Sequence, residues 1–182
     1  DFSKLESDKA DEILFIKGVS YKGLQLNDEA NELFNQLLLK ENQQLKNKVL
    51  FEFADMEFVK GNFEKSLEFC DKLLENMKFF AEQEKGRIFN LMALNYYNSK
   101  RSLDKVIELM DKAIFEFENS KPYNKLSGIY VNLGIIYFEL KNNSKSLELF
   151  NKGIKINELM GNYEQKGLIQ MNLGLIQMEQ RN

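Results

Sequence analysis

The sequence predicts an all-α chain of stacked antiparallel helix hairpins. Three observations predict it. Apolar residues recur at i, i+3, i+4 and i+7 along most of the 182 residues, which sets them on one side of successive helices. One proline, Pro122, and ten glycines leave little turn chemistry for a many-stranded sheet. Small residues return at long, regular intervals within these patterns: Ala30 to Ser66 spans 36 residues, and Ser66 to Val106 and Val106 to Ser146 span 40 each.

Residues 1–10, DFSKLESDKA, read as the tail of a preceding helix. The first hairpin covers about 11–44, with Leu14, Gly18 and Tyr21 on one helix and Ala30, Phe34 and Leu37 on the other. Asn27, Asp28 and Glu29 give the second helix a capping residue and an acidic first turn. The second hairpin, about 47–80, holds the clearest turn: Gly61-Asn62 supplies a left-handed residue, Phe63 tucks under it, and Ser66, Cys70 and Leu73 open the next face. Glu57 stands where an aromatic fits best and leaves that corner less well filled.

The third hairpin, about 87–120, has two possible registers. A strict 40-residue step aligns Phe89, Ala93, Leu94 and Tyr97 with Ile129, Leu133, Gly134 and Tyr137; a shift by one selects Phe89, Met92, Ala93 and Tyr96 and requires an insertion in the turn. The fourth hairpin, about 127–160, is the most regular. Tyr130, Leu133, Gly134 and Tyr137 face Ser146, Phe150 and Gly153, and the small residues let the helix axes approach while the large ones fill the space around them. A half repeat, 167–182, closes the chain with Leu173-Gly174. All five segments form one array, and a start at Asp1 instead of Met is what a piece of a longer polypeptide would have.

The Leu-Gly-aromatic series of the fourth hairpin, followed by small, large and small residues on its partner helix, resembles the tetratricopeptide repeat. The spacing of about 40, where about 34 is usual, is similar to that of kinesin light chain and the bacterial peptide-sensing regulators. The resemblance implies a right-handed α-solenoid in which the first helix of each hairpin lines a concave groove. Groove positions are then Phe15, Val19 and Lys22; Lys48, Phe51, Glu52, Asp55 and Phe58; Leu91, Asn95 and Asn98; Val131, Asn132, Ile135 and Phe138; and Met171, Asn172, Leu175 and Met178. An asparagine offers both a donor and an acceptor to an extended peptide backbone, so Asn95, Asn132 and Asn172 form a candidate ladder. The apolar members can instead pack on neighbouring repeats. The clamp for a C-terminal carboxylate known in chaperone-binding members is not expected, because Phe15 and Val19 occupy the places where it has Lys and Asn.

Composition narrows the chemistry. With no histidine, the commonest general base and zinc ligand is missing, and Cys70 sits on a packing face. Neither a catalytic site nor a metal or other cofactor is expected. A net charge of -3 and the lack of a basic stripe argue against nucleic acid, and no apolar run reaches the roughly 20 residues of a membrane span. A single cysteine favours a reducing, cytoplasmic compartment. The function implied is a non-enzymatic scaffold for a protein or peptide, with a possible homo-oligomer through the C-terminal half repeat. The alternative is the sensor or dimerisation region of a larger bacterial signalling or transcription-regulatory protein.

Overall fold

The computed structural model describes residues 2–120 and 123–179. Among them every regular element is helical: α1 (Phe2–Gly23), α2 (Asn27–Leu38), α3 (Gln43–Val59), α4 (Phe63–Glu75), a short 3-10 turn at Met77–Phe79, α5 (Glu82–Asn98), α6 (Leu103–Ser120), α7 (Tyr123–Glu139), α8 (Asn143–Met160) and α9 (Tyr163–Glu179). The chain forms two compact units, Asp1–Phe79 and Phe80–Asn182. Two hairpins, α1–α2 and α3–α4, make the first; α5–α6, α7–α8 and α9 make the second. Several boundaries differ from expectation. α1 runs without a break through the segment read as a separate tail, and α3, α5, α7 and α9 begin at Gln43, Glu82, Tyr123 and Tyr163, ahead of the expected starts near 47, 87, 127 and 167.

The first unit is built on phenylalanine. Ala30, Phe34, Leu37, Leu45, Val49 and Met56 form its core. Phe15, Phe34, Phe53 and Phe69 follow one another through it at centroid separations of 6.0, 5.7 and 5.7 Å, within the range in which aromatic pairs attract beyond their buried area. In the second unit Phe150 and Ile169 are buried, with Val131, Ile135, Phe138, Leu147, Ile154 and Leu173 packed around them.

Close approach of the paired helices organises each hairpin. A Cβ added at Gly18 would lie 2.6 Å from Cε1 of Phe34, and one at Gly134 would lie 2.8 Å from Cε1 of Phe150. Glycine is therefore required at both places, because no larger residue leaves room for the buried ring. Where the contact is a serine instead, its hydroxyl bonds the facing backbone: Ser66 Oγ donates to the Ala54 carbonyl and Ser146 Oγ to the Gly134 carbonyl, each at 2.7 Å.

The turns settle the register of the third hairpin. α1, α3, α5 and α7 all end in the same wrap, in which an N–H beyond the helix reaches back to a carbonyl in its last turn: Leu26 to Tyr21, Asn62 to Glu57, Arg101 to Tyr96 and Asn142 to Tyr137, at 2.8 to 2.9 Å. Tyr96, not Tyr97, is thus the counterpart of Tyr137. The buried small residue of α5 is Ala93, fully enclosed, while Leu94 is half-buried. The insertion required by that register is present. The connection 99–102 is one residue longer than 24–26, 60–62 and 140–142.

Glu57 corrects a second expectation. Its carboxylate is buried, yet it accepts from Asn62 Nδ2 at 2.8 Å and Lys60 Nζ at 3.0 Å, with Lys65 at 3.4 Å. Burial raises its pKa, but these bonds outweigh it and hold the carboxyl below its usual value. The corner is filled by a polar knot in place of a ring.

In these four wraps the left-handed residue is glycine only at Gly61, while Gln25, Lys100 and Lys141 adopt positive φ in the others; Gly161 does so at the end of α8. A non-glycine residue there costs about 1–2 kcal/mol, against about 0.5–1 kcal/mol for the greater unfolded-state freedom of glycine. Gln25→Gly is expected to raise the denaturant midpoint by the equivalent of about 0.5–1 kcal/mol, measured by chemical unfolding; a lowered midpoint would show that the Gln25 side chain makes a compensating contact.

Candidate functional site

The positions expected to line a groove behave differently in the two units. In the first they are largely committed to one another. Lys22 Nζ bonds both Glu52 and Asp55, the latter at 2.8 Å, and Glu52 is buried. Burial works against the charge on Lys22, but the bonds to Asp55 and Glu52 outweigh it and hold its pKa above the ordinary lysine value. Lys48 Nζ bonds Glu12 at 2.8 Å and lies 5.8 Å from the centre of the Phe15 ring. Phe51 and Phe58 are half-buried, and Phe58 rests on Phe63 at 5.9 Å. The α1 and α3 surfaces are thus bridged by ion pairs, and Asp55 is held within that network.

In the second unit the register removes one predicted residue. Asn95 is fully buried and its Nδ2 donates to the Leu91 carbonyl one turn back, at 2.9 Å. Its counterpart in α7 is Ile136, also buried, so Asn95 is an interior residue of α5 and not a rung of a ligand ladder. Asn98 is exposed, with its Nδ2 bound to the Leu94 carbonyl at 2.8 Å. Counted from Ala93, the α5 counterparts of Val131, Ile135 and Phe138 are Asn90, Leu94 and Tyr97, all half-buried. Sequence reasoning missed these three. The extra residue in the 99–102 turn was the signal that could have found them.

Asn132 and Asn172 occupy equivalent places on α7 and α9 and are both half-buried. Val131, Ile135 and Phe138 are half-buried as well, because they pack against the core of Phe150 and Ile169. That stripe therefore belongs in part to repeat packing. Met171 and Met178 remain 61% and 66% exposed; the Leu175 side chain lies outside the described residues. A cleft of about 530 Å³ is lined by Tyr97, Asn98, Lys100, Arg101, Leu103 and Glu139. Tyr97 spans it from α5 to α7, donating its hydroxyl to Glu139 Oε1 at 2.8 Å. Burial and the neighbouring carboxylate both push the tyrosine pKa up, which keeps it a hydrogen-bond donor at neutral pH.

Nucleophilic chemistry finds little support in these groups. Burial pushes the Cys70 thiol up to about 12, aided by Asp71, so its thiolate is scarce at neutral pH. Among the described residues no group of three or more His, Cys, Asp or Glu could hold a metal ion, and no helix is long and apolar enough to cross a membrane.

Antiparallel hairpins with small residues at the helix contact, a wrapped turn after each first helix and a half-buried polar and apolar wall on those helices define a helical-hairpin repeat protein. Residues 127–158 match the family model for the tetratricopeptide repeat. The family's sequence pattern is thus carried by the α7–α8 hairpin. No curated protein matches it in sequence.

Several solved structures share its fold. The chain aligns with BtubC (BKLC) from P. vanneervenii at 12% identity, over 94% of this chain and 81% of that one, with a TM-score of 0.66. It aligns with the apo form of RapI at 16% identity, over 93% and 67%, with a TM-score of 0.71. A third structure, pilF of Pseudomonas aeruginosa, aligns at 10% identity, over 90% and 74%, with a TM-score of 0.64. At such identities the likeness is one of fold.

Proposed function

We propose that this chain is a non-enzymatic scaffold that holds a protein segment, in extended or helical form, against the first helices of its hairpins. The tetratricopeptide-repeat match over residues 127–158 supports protein interaction in general. The pair Asn132 and Asn172 supports the finer reading: two amides at equivalent places on α7 and α9, half-open to solvent beside apolar side chains. Each can give and accept a hydrogen bond, and an extended peptide presents its N–H and C=O groups at a regular repeat. The ion-pair network of Lys22, Glu52, Asp55, Lys48 and Glu12 stiffens the first unit's wall, so little ordering cost falls on binding there. A protein ligand fits a net charge of -3 better than a nucleic acid does.

Peptides selected on the intact chain from a displayed library provide the probe. The double substitution Asn132→Ala with Asn172→Ala is expected to weaken the selected peptides by about tenfold, the loss of one or two hydrogen bonds of about 1 kcal/mol each, with melting unchanged. Equal affinity in the double variant would remove the asparagines from the site.

The α9 face around Gly174, uncovered among the described residues, supports a second use, self-association. Gly174 has nothing within 4 Å of an added Cβ, whereas Gly18 and Gly134 are covered by Phe34 and Phe150, and Met171 and Met178 on the same helix stay exposed. Sedimentation at rising concentration is expected to give an increasing mass that Met178→Asp abolishes; a constant monomer mass would contradict it.

A further inference from the structure

Five residues before its small residue (Gly18 in α1, Ala54 in α3, Gly134 in α7), every first helix carries a β-branched aliphatic side chain: Ile13, Val49, Ile88, Ile129 and Ile169. The last four are buried, at 0 to 3% exposure, whereas Ile13 is 66% exposed. A single exposed isoleucine needs no explanation by itself. A position that is interior in four sister helices and stands in water in the fifth marks a face of α1 shaped for a cover.

Within each unit the sister helices show what that cover is. Val49 shares a core with Ala30, Phe34 and Leu37 of α2, the second helix of the hairpin before it. Ile169 lies on α8 in the same way: it shares a core with Phe150, and its Cδ1 is 3.2 Å from where a Cβ of Gly153 would stand. Both covers carry one pattern, a small residue (Ala30, Ser146), phenylalanine four places on, and Leu37 or Gly153 three places further.

The face on α1 is narrower than that on α3. Ile16, 58% exposed, stands one turn from Ile13. The places that α3 fills with buried Leu45 and Met56 hold Lys9 and Ser20 in α1, both exposed, and the Ser20 hydroxyl donates to the Ile16 carbonyl of its own helix at 2.9 Å. An apolar centre with a polar rim suits a surface that is wet when free and covered when a partner arrives; a permanently covered face is apolar along its length.

We propose that the Ile13–Ile16 face of α1 docks an amphipathic helix of a separate protein, one that carries the second-helix pattern of α2 and α8. In this chain α2 and α8 already cover α3 and α9, so neither is free to serve a second copy. Asn132 and Asn172 lie on other helices, and the two uses can be tested apart.

The probe is a fluorescein-labelled peptide with the sequence of residues 142–161, which spans α8, carries the pattern and is long enough to form a helix on docking. Titrated with the whole chain and followed by anisotropy, it is expected to bind saturably. Affinity is expected to fall about tenfold or more in Ile13→Lys and in Ile16→Glu, to persist in Ile13→Val, which installs the residue type of Val49, and to be unchanged by Asn132→Ala with Asn172→Ala. Both isoleucines are exposed, so these variants are expected to melt like the parent chain. Absence of saturable binding, equal affinity in Ile13→Lys, equal binding of a scrambled peptide or loss of binding in the asparagine variant would each overturn the assignment. So would a dimer seen in sedimentation that Ile13→Lys dissolves, because the cover would then be a second copy.

Discussion

The distance between the two helices of a hairpin is the constraint from which the rest follows. At Gly18 and Gly134 the facing phenylalanine ring sits where a Cβ would have to be, and at Ser66 and Ser146 a side-chain hydroxyl bonds the main chain of the opposite helix. Helices this close exclude water from the backbone between them, so packing and hydrogen bonding reinforce each other there. Turn geometry answers to the same demand. A wrapped C-terminus returns the chain within three or four residues, even where glutamine or lysine must take the left-handed conformation to do so. The strain at Gln25, Lys100 and Lys141 is small beside the burial it makes possible.

The hairpins were legible because their physics is local. Phe34 and Phe150 stand sixteen positions after Gly18 and Gly134, and a fixed offset from a small residue to a large one can be seen without coordinates. The same offset joins Ala54 to Cys70, both fully buried, so a cysteine that might have suggested chemistry reads as packing. The third hairpin resisted because one inserted residue in its turn displaces everything before it. Periodicity in α5 admits two faces 100° apart, and only the wrap from Arg101 to Tyr96 selects between them.

The candidate site was less legible, for a related reason. Wall positions are assigned by counting from the small residue, so the register of α5 decided whether Asn95 pointed outward. It lies inside, in the place that Ile136 fills in α7. Glu57 failed differently. Its position calls for an aromatic ring, and nothing in the linear pattern announces that Asn62, Lys60 and Lys65 will converge on a carboxylate there. Long-range ion pairs such as Lys22 with Glu52 and Asp55 share this character: they depend on how hairpins stack, which no single hairpin's sequence encodes.

The two glycines of α7 test the central contact most directly, because they share one helix and differ in surroundings. A Cβ at Gly128 would meet nothing within 4 Å, while one at Gly134 would strike the buried Phe150 ring. Alanine gains about 1 kcal/mol of helix propensity at either place, and overpacking at a rigid contact costs about 1–3 kcal/mol. Denaturant unfolding of the two alanine variants is therefore expected to give opposite signs, with Gly128→Ala stabilised by about 1 kcal/mol and Gly134→Ala destabilised. Equal stabilisation of both would contradict the account, since it would mean that the helices of the fourth hairpin stand far enough apart to admit a methyl group.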